Sequence, residues 1–290
     1  MRLLVVAKLS FLESGQVGRR TLARLAAAER ARLVRADAEN RRTVREVERH
    51  LRSLKIPFDL VRLPRRASNP RYDLILTVGG DGTFLSAAHY ARGTPIMGVN
   101  SDPARSLGLF TCADRASFPR RLREAFEGRL KATRLNRLSV EIGGQPVPEL
   151  ILNEALFAHR NPASMSRYEV SVDGRREHQR SSGLWISAAA GSTAAILAAG
   201  GRKMRIDSRR IQYIVREPYG WPNPHYRLVR GEARRSIELV VLMNTACLWI
   251  DGDWARYDVR FGDRIVLRTG AEPAVILGFD RAKRDRLFRR

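Results

Sequence analysis

The residues Val78-Gly79-Gly80-Asp81-Gly82-Thr83-Phe84-Leu85 set one carboxylate among three glycines, directly after the apolar run Leu74-Ile75-Leu76. Past Thr83 the pattern turns helical through Ala87, Ala88 and Tyr90. The spacing predicts a strand, a glycine turn and a helix. Such a turn bares backbone N–H groups at a helix start, where phosphate binds, and glycine lets backbone approach a ligand closely. A carboxylate inside a phosphate cradle repels the anion around it. Asp81 is therefore expected to meet a proton or a metal rather than phosphate. Two further clusters follow. Asn153-Glu154 closes the run Leu150-Ile151-Leu152. Ser187 to Ala195 joins a strand to an Ala-rich helix ending at Gly200-Gly201, with Ser192 and Thr193 placed to cap that helix and offer hydroxyls and N–H groups to a ligand. Singly, these are a solvated strand end, a helix cap and a tight connection. The three together, in this order, favour a ligand site over these separate bland readings.

The elements that must position these clusters alternate over the first half of the chain. Residues 3–8, 58–63, 73–78 and 95–99 are strand-like. Residues 18–55 carry Leu22, Leu25, Leu33, Val44, Val47, Leu51 and Leu54 at helical spacing, as one long helix or two with a break near Asn40. Pro64–Pro70 is a loop, and Phe118–Phe126 a helix that Gly128 stops. Alternating strands and helices imply a mostly parallel, Rossmann-like α/β sheet covered on both faces, with ligands at the carboxyl ends of the strands. From about residue 131 the character changes to short strand-like runs, 138–142, 150–157, 168–172, 184–187, 237–242, 246–250 and 264–267, with turns at Gly143-Gly144 and Asp173-Gly174. The expected fold class is α/β plus all-β. An α/β domain spans 1–130 and a β-rich domain spans 131–270. Residues 271–290 are a candidate to pack back on the first domain through a strand at 274–279.

The 290 residues carry a formal net charge of +23, and only five of the 53 basic residues are lysine. The bland reading is a solvated arginine-rich surface. The functional ones are attraction of small polyanions or loose binding of nucleic acid. No zinc finger, aromatic RNA-binding pattern or helix-turn-helix accompanies the charge, so nucleic acid is not the expected partner. No apolar run reaches the roughly 18–20 residues that span a bilayer. The start, Met1 to Lys8, lacks the features of a secretory signal. Cys112 and Cys247 have no metal-type or disulfide spacing. These features give a cytoplasmic expectation with no membrane partner.

The segments VGGDGTFLSAA at 78–88, GVNSDPARSLGLF at 98–110, LNE at 152–154, YEVSVDG at 168–174 and SSGLWISAAAGSTAA at 181–195 resemble, in order, the NAD kinases. The likeness runs from about residue 70 to 255. It is closest to the divergent branch that includes the mitochondrial NAD kinases of animals, with which Val215-Arg216-Glu217-Pro218 and Ile250-Asp251-Gly252 also agree. The resemblance implies an active site between the two domains and a homodimer or homotetramer. It implies transfer of a phosphoryl group from ATP or polyphosphate to the 2′-hydroxyl of the adenosine ribose of NAD. It also implies that Asp81 accepts the hydroxyl proton and that Gly79, Gly80, Gly82 and Thr83 cradle the donor phosphates. Gly82, Asn153, Glu154, Ser182, Gly191, Ser192 and Thr193 would then bind NAD. With no G-x-x-x-x-G-K-[ST] loop and no protein metal ligand assigned, Mg²⁺ is expected to ride mainly on donor phosphates and water.

The departures from the family pattern fall in the second cluster. Ala188, Ala189 and Ala190 replace Thr-Pro-Thr, Ala195 replaces Tyr, and Ser182 replaces a common Asp. These changes remove two hydroxyls and one aromatic wall. They leave open a non-catalytic nucleotide-binding regulator. A lipid kinase of the diacylglycerol type shares the glycine turn, but here the turn is followed by Gly98-Val99-Asn100-Ser101-Asp102-Pro103 rather than by Gly-Thr-x-Asn-Asp.

Overall fold

The computed structural model describes residues 1–9, 12–13, 19–63, 72–220 and 225–288. The loop expected at Pro64–Pro70 lies outside them. The chain divides into two compact units, Met1–Thr133 with Val275–Arg290, and Arg134–Ala274. Among the described residues no helix is long and apolar enough to cross a membrane.

The first unit is built on strands β1 (Leu3–Ala7), β2 (Phe58–Arg62), β3 (Leu74–Gly79), β4 (Ile96–Asn100) and the short β5 (Ala113–Asp114). Its helices are α1 (Arg19–Ala23), α2 (Ala27–Ser53), α3 (Asp81–Ala88) and α4 (Phe118–Phe126). The strands run parallel in the order β2-β1-β3-β4, with Leu3 opposite both Phe58 and Leu74, and Ile75 opposite Ile96. All five residues of β1 are fully buried. That is why its sequence is an unbroken apolar run rather than an alternation. Helix α2 lays Asn40, Val44, Val47 and Leu51 along one buried stripe, three to four residues apart. It does not break near Asn40. Asn40 is buried, and its amide donates to Ser101 Oγ at 3.1 Å, so its polarity is satisfied without interrupting the helix. The break falls at residues 24–26, where Ala26 is extended (φ −53°, ψ 145°).

The second unit contains β6 (Ala132–Ile142, entering from the first unit), β7 (Gln145–Pro146), β8 (Glu154–His159), β9 (Ser166–Val172), β10 (Arg175–Ser181) and β11 (Gly183–Ser187). After the short helix α5 (Ala195–Ala198) come β12 (Ile211–Arg216), β13 (Arg230–Ala233), β14 (Ser236–Val241), β15 (Ala246–Ile250), β16 (Ala255–Val259) and β17 (Arg264–Leu277), then α6 (Arg281–Leu287) back in the first unit. One sheet of this unit runs β10-β9-β14-β17 with β6 on β17, and the other runs β13-β12-β11-β8-β15-β16. Inward residues of both sheets form one core, in which Phe157 meets Tyr168 edge-on at 5.4 Å. The hairpin turn at Asp173-Gly174 has positive φ at both residues, 47° and 83°. That geometry suits a tight right-twisted hairpin. The chain returns to the first unit inside a single 14-residue strand, β17, rather than by a separate strand at 274–279, and Ile276 pairs with Ile96 of β4.

At Gly98 of β4 an added Cβ would lie 2.6 Å from the Phe110 carbonyl oxygen and 2.9 Å from Thr111 Cα. Both obstacles are backbone and cannot swing aside. Gly98→Ala is expected to destabilise the protein by about 1–3 kcal/mol, measured by chemical denaturation. A native-like midpoint would show that the 110–112 segment is not pressed against β4.

Candidate active site

In the first unit β3 ends at Gly79, Gly80 caps α3 with extended backbone, and Asp81 is the first helical residue. A carboxylate at this end of a helix faces the positive pole of the backbone dipoles. Asp81 Oδ1 accepts the Phe110 N–H at 2.8 Å, across 29 residues of sequence. The Phe110 ring is stacked on Phe84 of α3 at 5.0 Å and on Phe279 at 6.1 Å. The carboxylate is thus aimed by an amide whose own residue is clamped. The three glycines differ in what requires them. A Cβ on Gly79 would meet Thr83 Oγ1 at 2.1 Å, and one on Gly80 would meet Ser106 Oγ at 2.8 Å. Gly82 is exposed and its missing Cβ faces open space. Gly79 and Gly80 serve packing, with Thr83 buried over Gly79, and Gly82 presents bare backbone outward.

Beside this turn, at the carboxyl ends of β1, β3 and β4, lies a cavity of about 350 Å³ lined by Lys8, Arg32, Asp37, Asn40, Gly80, Asn100 and Arg105. Its arginines are already paired, Arg32 with Glu29 at 2.5 Å and Arg105 with Asp102 at 2.7 Å. The Asn40 side-chain carbonyl oxygen is buried with no hydrogen-bond partner among the described residues. The cavity therefore offers cations and one unmet acceptor.

In the second unit the strand expected over 150–157 begins only at Glu154, so Asn153 and Glu154 stand at the start of β8 rather than closing a strand run. Leu150 to Asn153 form the approach, held by a single bridge from Ile151 to Leu138. The organiser of this turn is Asp251. Its carboxylate accepts the N–H groups of Leu152 (3.0 Å), Asn153 (2.8 Å) and Glu154 (3.1 Å), and its own N–H donates to the Glu154 carbonyl at 2.9 Å. Asp251 holds φ +48°, a conformation few non-glycine residues take. Glu154 is 8 % exposed. Burial, with the Asp251 charge second, pushes its carboxyl up to about 8. Glu154 Oε2 and Asn153 Oδ1 are buried without partners among the described residues.

The Gly-Ser-Thr turn meets this pair directly. A Cβ on Gly191 would lie 2.1 Å from the Asn153 carbonyl oxygen, which also accepts Ala188 N–H at 2.9 Å and Ser187 Oγ–H at 3.0 Å. Residues Gly191–Thr193 form one 3₁₀ turn, and neither it nor α5 has a side-chain cap. The capping expectation fails because Ser192 is fully buried. Its hydroxyl donates to the Ala189 carbonyl at 2.7 Å and accepts Met204 N–H at 2.9 Å. Thr193 stays partly exposed, and Ala188–Ala190 are buried. Ser182 lies at the opposite end of β11 from Ser187, about 16 Å away at strand rise. The structure thus gathers Asn153, Glu154 and Gly191–Thr193, and leaves Ser182 apart. Sequence reasoning assigned no role to Asp251, Phe110 or Lys8. For Asp251 the available signal was the Asp-Gly turn after the apolar run 246–250.

A family model for the ATP-NAD kinase N-terminal domain matches residues 3–129. A protein of Oryza sativa subsp. japonica named "Probable NADH kinase" is 34 % identical over 230 residues, 70 % of this chain and 71 % of the relative. An NAD kinase of Neisseria gonorrhoeae is 33 % identical over 214 residues, 71 % of this chain and 69 % of the relative. Among solved structures, an NAD kinase from Archaeoglobus fulgidus in complex with ATP superposes with a TM-score of 0.68 at 25 % identity, covering 100 % of this chain and 96 % of that one. Yeast NADH kinase complexed with NADH shares the fold, with a TM-score of 0.75 at 16 % identity over 99 % of this chain and 86 % of that one.

The Glu154 environment generates a pH signature. The unfolded carboxyl releases its proton near 4.5 and the folded one near 8. Between those values the folded state binds more protons, so stability falls as pH rises, by about 1.4 kcal/mol per unit where the two states differ by a full proton. Above about 8 the decline ends. Glu154→Gln is expected to lack the decline, measured as unfolding free energy from pH 5 to 9. Parallel pH curves for the two proteins would refute the burial of that carboxyl as a neutral acid.

Proposed function

This chain belongs to the NAD kinase family, and from that premise we propose that it moves the γ-phosphoryl group of ATP to the 2′-hydroxyl of the adenosine ribose of NAD or NADH. The observation that carries the proposal is Asp81. Its carboxylate stands at the head of α3 in a glycine turn, one oxygen fixed by the Phe110 amide, beside a cation-lined cavity. A ribose hydroxyl is a poor nucleophile. As its oxygen forms the new bond to Pγ and the bond from Pγ to the β,γ-bridging oxygen breaks, the hydroxyl proton passes to Asp81 and ADP leaves. General-base assistance of this kind is worth roughly 10²–10⁴ in rate. The rest is positioning and charge stabilisation.

The donor's phosphates are assigned to the cavity in the first unit, against Lys8, Arg105 and the amides of the glycine turn. The ATP complex of the Archaeoglobus relative supports ATP as the donor, and polyphosphate presents the same anhydride chemistry. In the second unit the partnerless oxygens of Asn153 and Glu154 offer acceptors to ribose hydroxyls and to the nicotinamide side of the dinucleotide. The NADH kinase name of the rice relative favours acceptance of the reduced form. Among the described residues no group of three or more His, Cys, Asp or Glu is gathered to hold a metal, and of the cavity's aspartates Asp37 pairs with Arg41 and Asp102 with Arg105. A Mg²⁺ ion carried by the donor phosphates and water would neutralise charge on the transferred group.

Two outcomes test this reading. Asp81→Asn is expected to keep nucleotide binding, followed calorimetrically, while kcat for NADP formation falls by about 10²–10⁴. Wild-type turnover in that variant would remove Asp81 from the chemistry. Lys8→Ala is expected to raise the KM for ATP about tenfold with the KM for NAD unchanged. Running the same assay with polyphosphate and with NADH identifies donor and acceptor. An unchanged donor KM would place the phosphates outside the cavity.

A further inference from the structure

We propose that Lys283 and Phe279, both beyond the end of β17, are positioning residues for phosphoryl transfer, acting through the 98–112 segment to set the aim of the Asp81 carboxylate. The proposal rests on the reading of Asp81 as the base. All of the contacts involved lie within the first unit.

Asp81 takes its orientation from the Phe110 N–H, so whatever fixes Phe110 fixes the base. The residues leading to Phe110 form neither helix nor strand, and Leu107 is 58 % exposed. Gly108 takes φ +55° there, with so little room that an added Cβ would lie 2.4 Å from Asn100 Nδ2. Its carbonyl oxygen accepts Thr111 Oγ1–H at 2.9 Å from within the segment and Lys283 Nζ–H at 2.7 Å from across 175 residues. The lysine bond is charge-assisted, the stronger kind, and is the tie that comes from outside the segment. The second outside tie is the Phe279 ring, stacked 6.1 Å from Phe110. Phe84 and Asp81 share helix α3. Phe110 therefore packs both on the helix that carries the base and on the chain that follows β17.

That following chain is itself fixed. Gly278 takes φ +69° and is packed so closely that a Cβ would lie 2.7 Å from Cys112 Cβ, and its N–H donates to the Lys131 carbonyl at 2.9 Å. Asp280 then caps α6, accepting Lys283 N–H at 2.8 Å. The cap sets the first turn of the helix, and the first turn presents the Lys283 side chain to Gly108. Two residues on one rigid corner thus grip positions 108 and 110. The amide of position 110 carries the aim of Asp81 out of that grip.

The test is a double-mutant cycle on the full chain with NAD and ATP. Lys283→Met and Phe279→Leu are each expected to lower kcat about tenfold, with both KM values and the melting temperature near those of the native protein. Lys283→Arg, which still donates to a carbonyl, is expected to restore most of the loss. In an Asp81→Asn background neither substitution should cost anything further, because the group they aim is gone. An equal fold-loss in both backgrounds, or native kcat in both single variants, would overturn the proposal. If one variant fails to fold, the other still completes a cycle. Full turnover in Asp81→Asn alone would instead refute the base assignment, a result separate from either of these.

Discussion

The orientation of the Asp81 carboxylate in the first unit depends on one hydrogen bond, from the Phe110 amide. A carboxylate at a helix start has the dipole in its favour, and its oxygens can still swing. Fixing one oxygen to a backbone N–H leaves a single direction for the other. Around that bond the fold brings Gly98 of β4 against the 110–111 backbone and seats Gly108 beneath Asn100. Neither approach tolerates a side chain. The glycine turn divides the same way, with Gly79 and Gly80 yielding space to Thr83 and Ser106 and Gly82 alone left bare to the outside.

The second unit solves the matching problem with a buried carboxylate. Three successive N–H groups converge on that of Asp251. The left-handed backbone at Asp251 is the strain that brings its carboxylate under the turn. Burial first, and the neighbouring Asp251 second, raise the Glu154 carboxyl to about 8. In its protonated form a carboxyl both donates and accepts hydrogen bonds.

Where the sequence was legible, the reason was a pattern imposed by burial. The run at Leu3–Ala7 is apolar because β1 is covered on both faces, and the turn at 79–82 announces itself by glycine alone. The misses have physical causes too. β10, Arg175–Ser181, has no apolar signal because its buried residues are Gln179 and Ser181, whose polar groups meet the Tyr168 hydroxyl. β17 reads as broken because Gly270 and Pro273 interrupt it. β12 is buried from Ile211 to Val215, with Ile211, Tyr213 and Val215 in the core between the sheets. Asn40 looked like a helix breaker because sequence cannot show Ser101 waiting for its amide. Ser192 looked like a cap because sequence cannot show that Met204 and Ala189 already hold its hydroxyl. Asp251 is separated by nearly a hundred residues from the turn it organises, and only the pairing of β8 with β15 brings the two together.

The arginine surface then has a restricted meaning. Many arginines are spent on neighbouring carboxylates along helices, as at Arg42–Glu46 and Arg120–Glu124. Such exposed pairs add little stability. With 53 basic residues against 30 acidic ones, a surplus remains that no internal pairing can cancel. Its consequence is a field that draws polyanions toward the molecule and weakens as salt rises. At the cavity beside Gly80 the attraction becomes specific for a geometric reason. Arg105 is already held by Asp102 and Arg32 by Glu29. A phosphate there meets guanidinium groups that already share their charge with carboxylates. Lys8 is placed differently, at the carboxyl end of β1, where its backbone N–H donates to the Val78 carbonyl just ahead of the glycine turn. Its ammonium group has no carboxylate partner among the described residues, so it is the cation with most charge left to give.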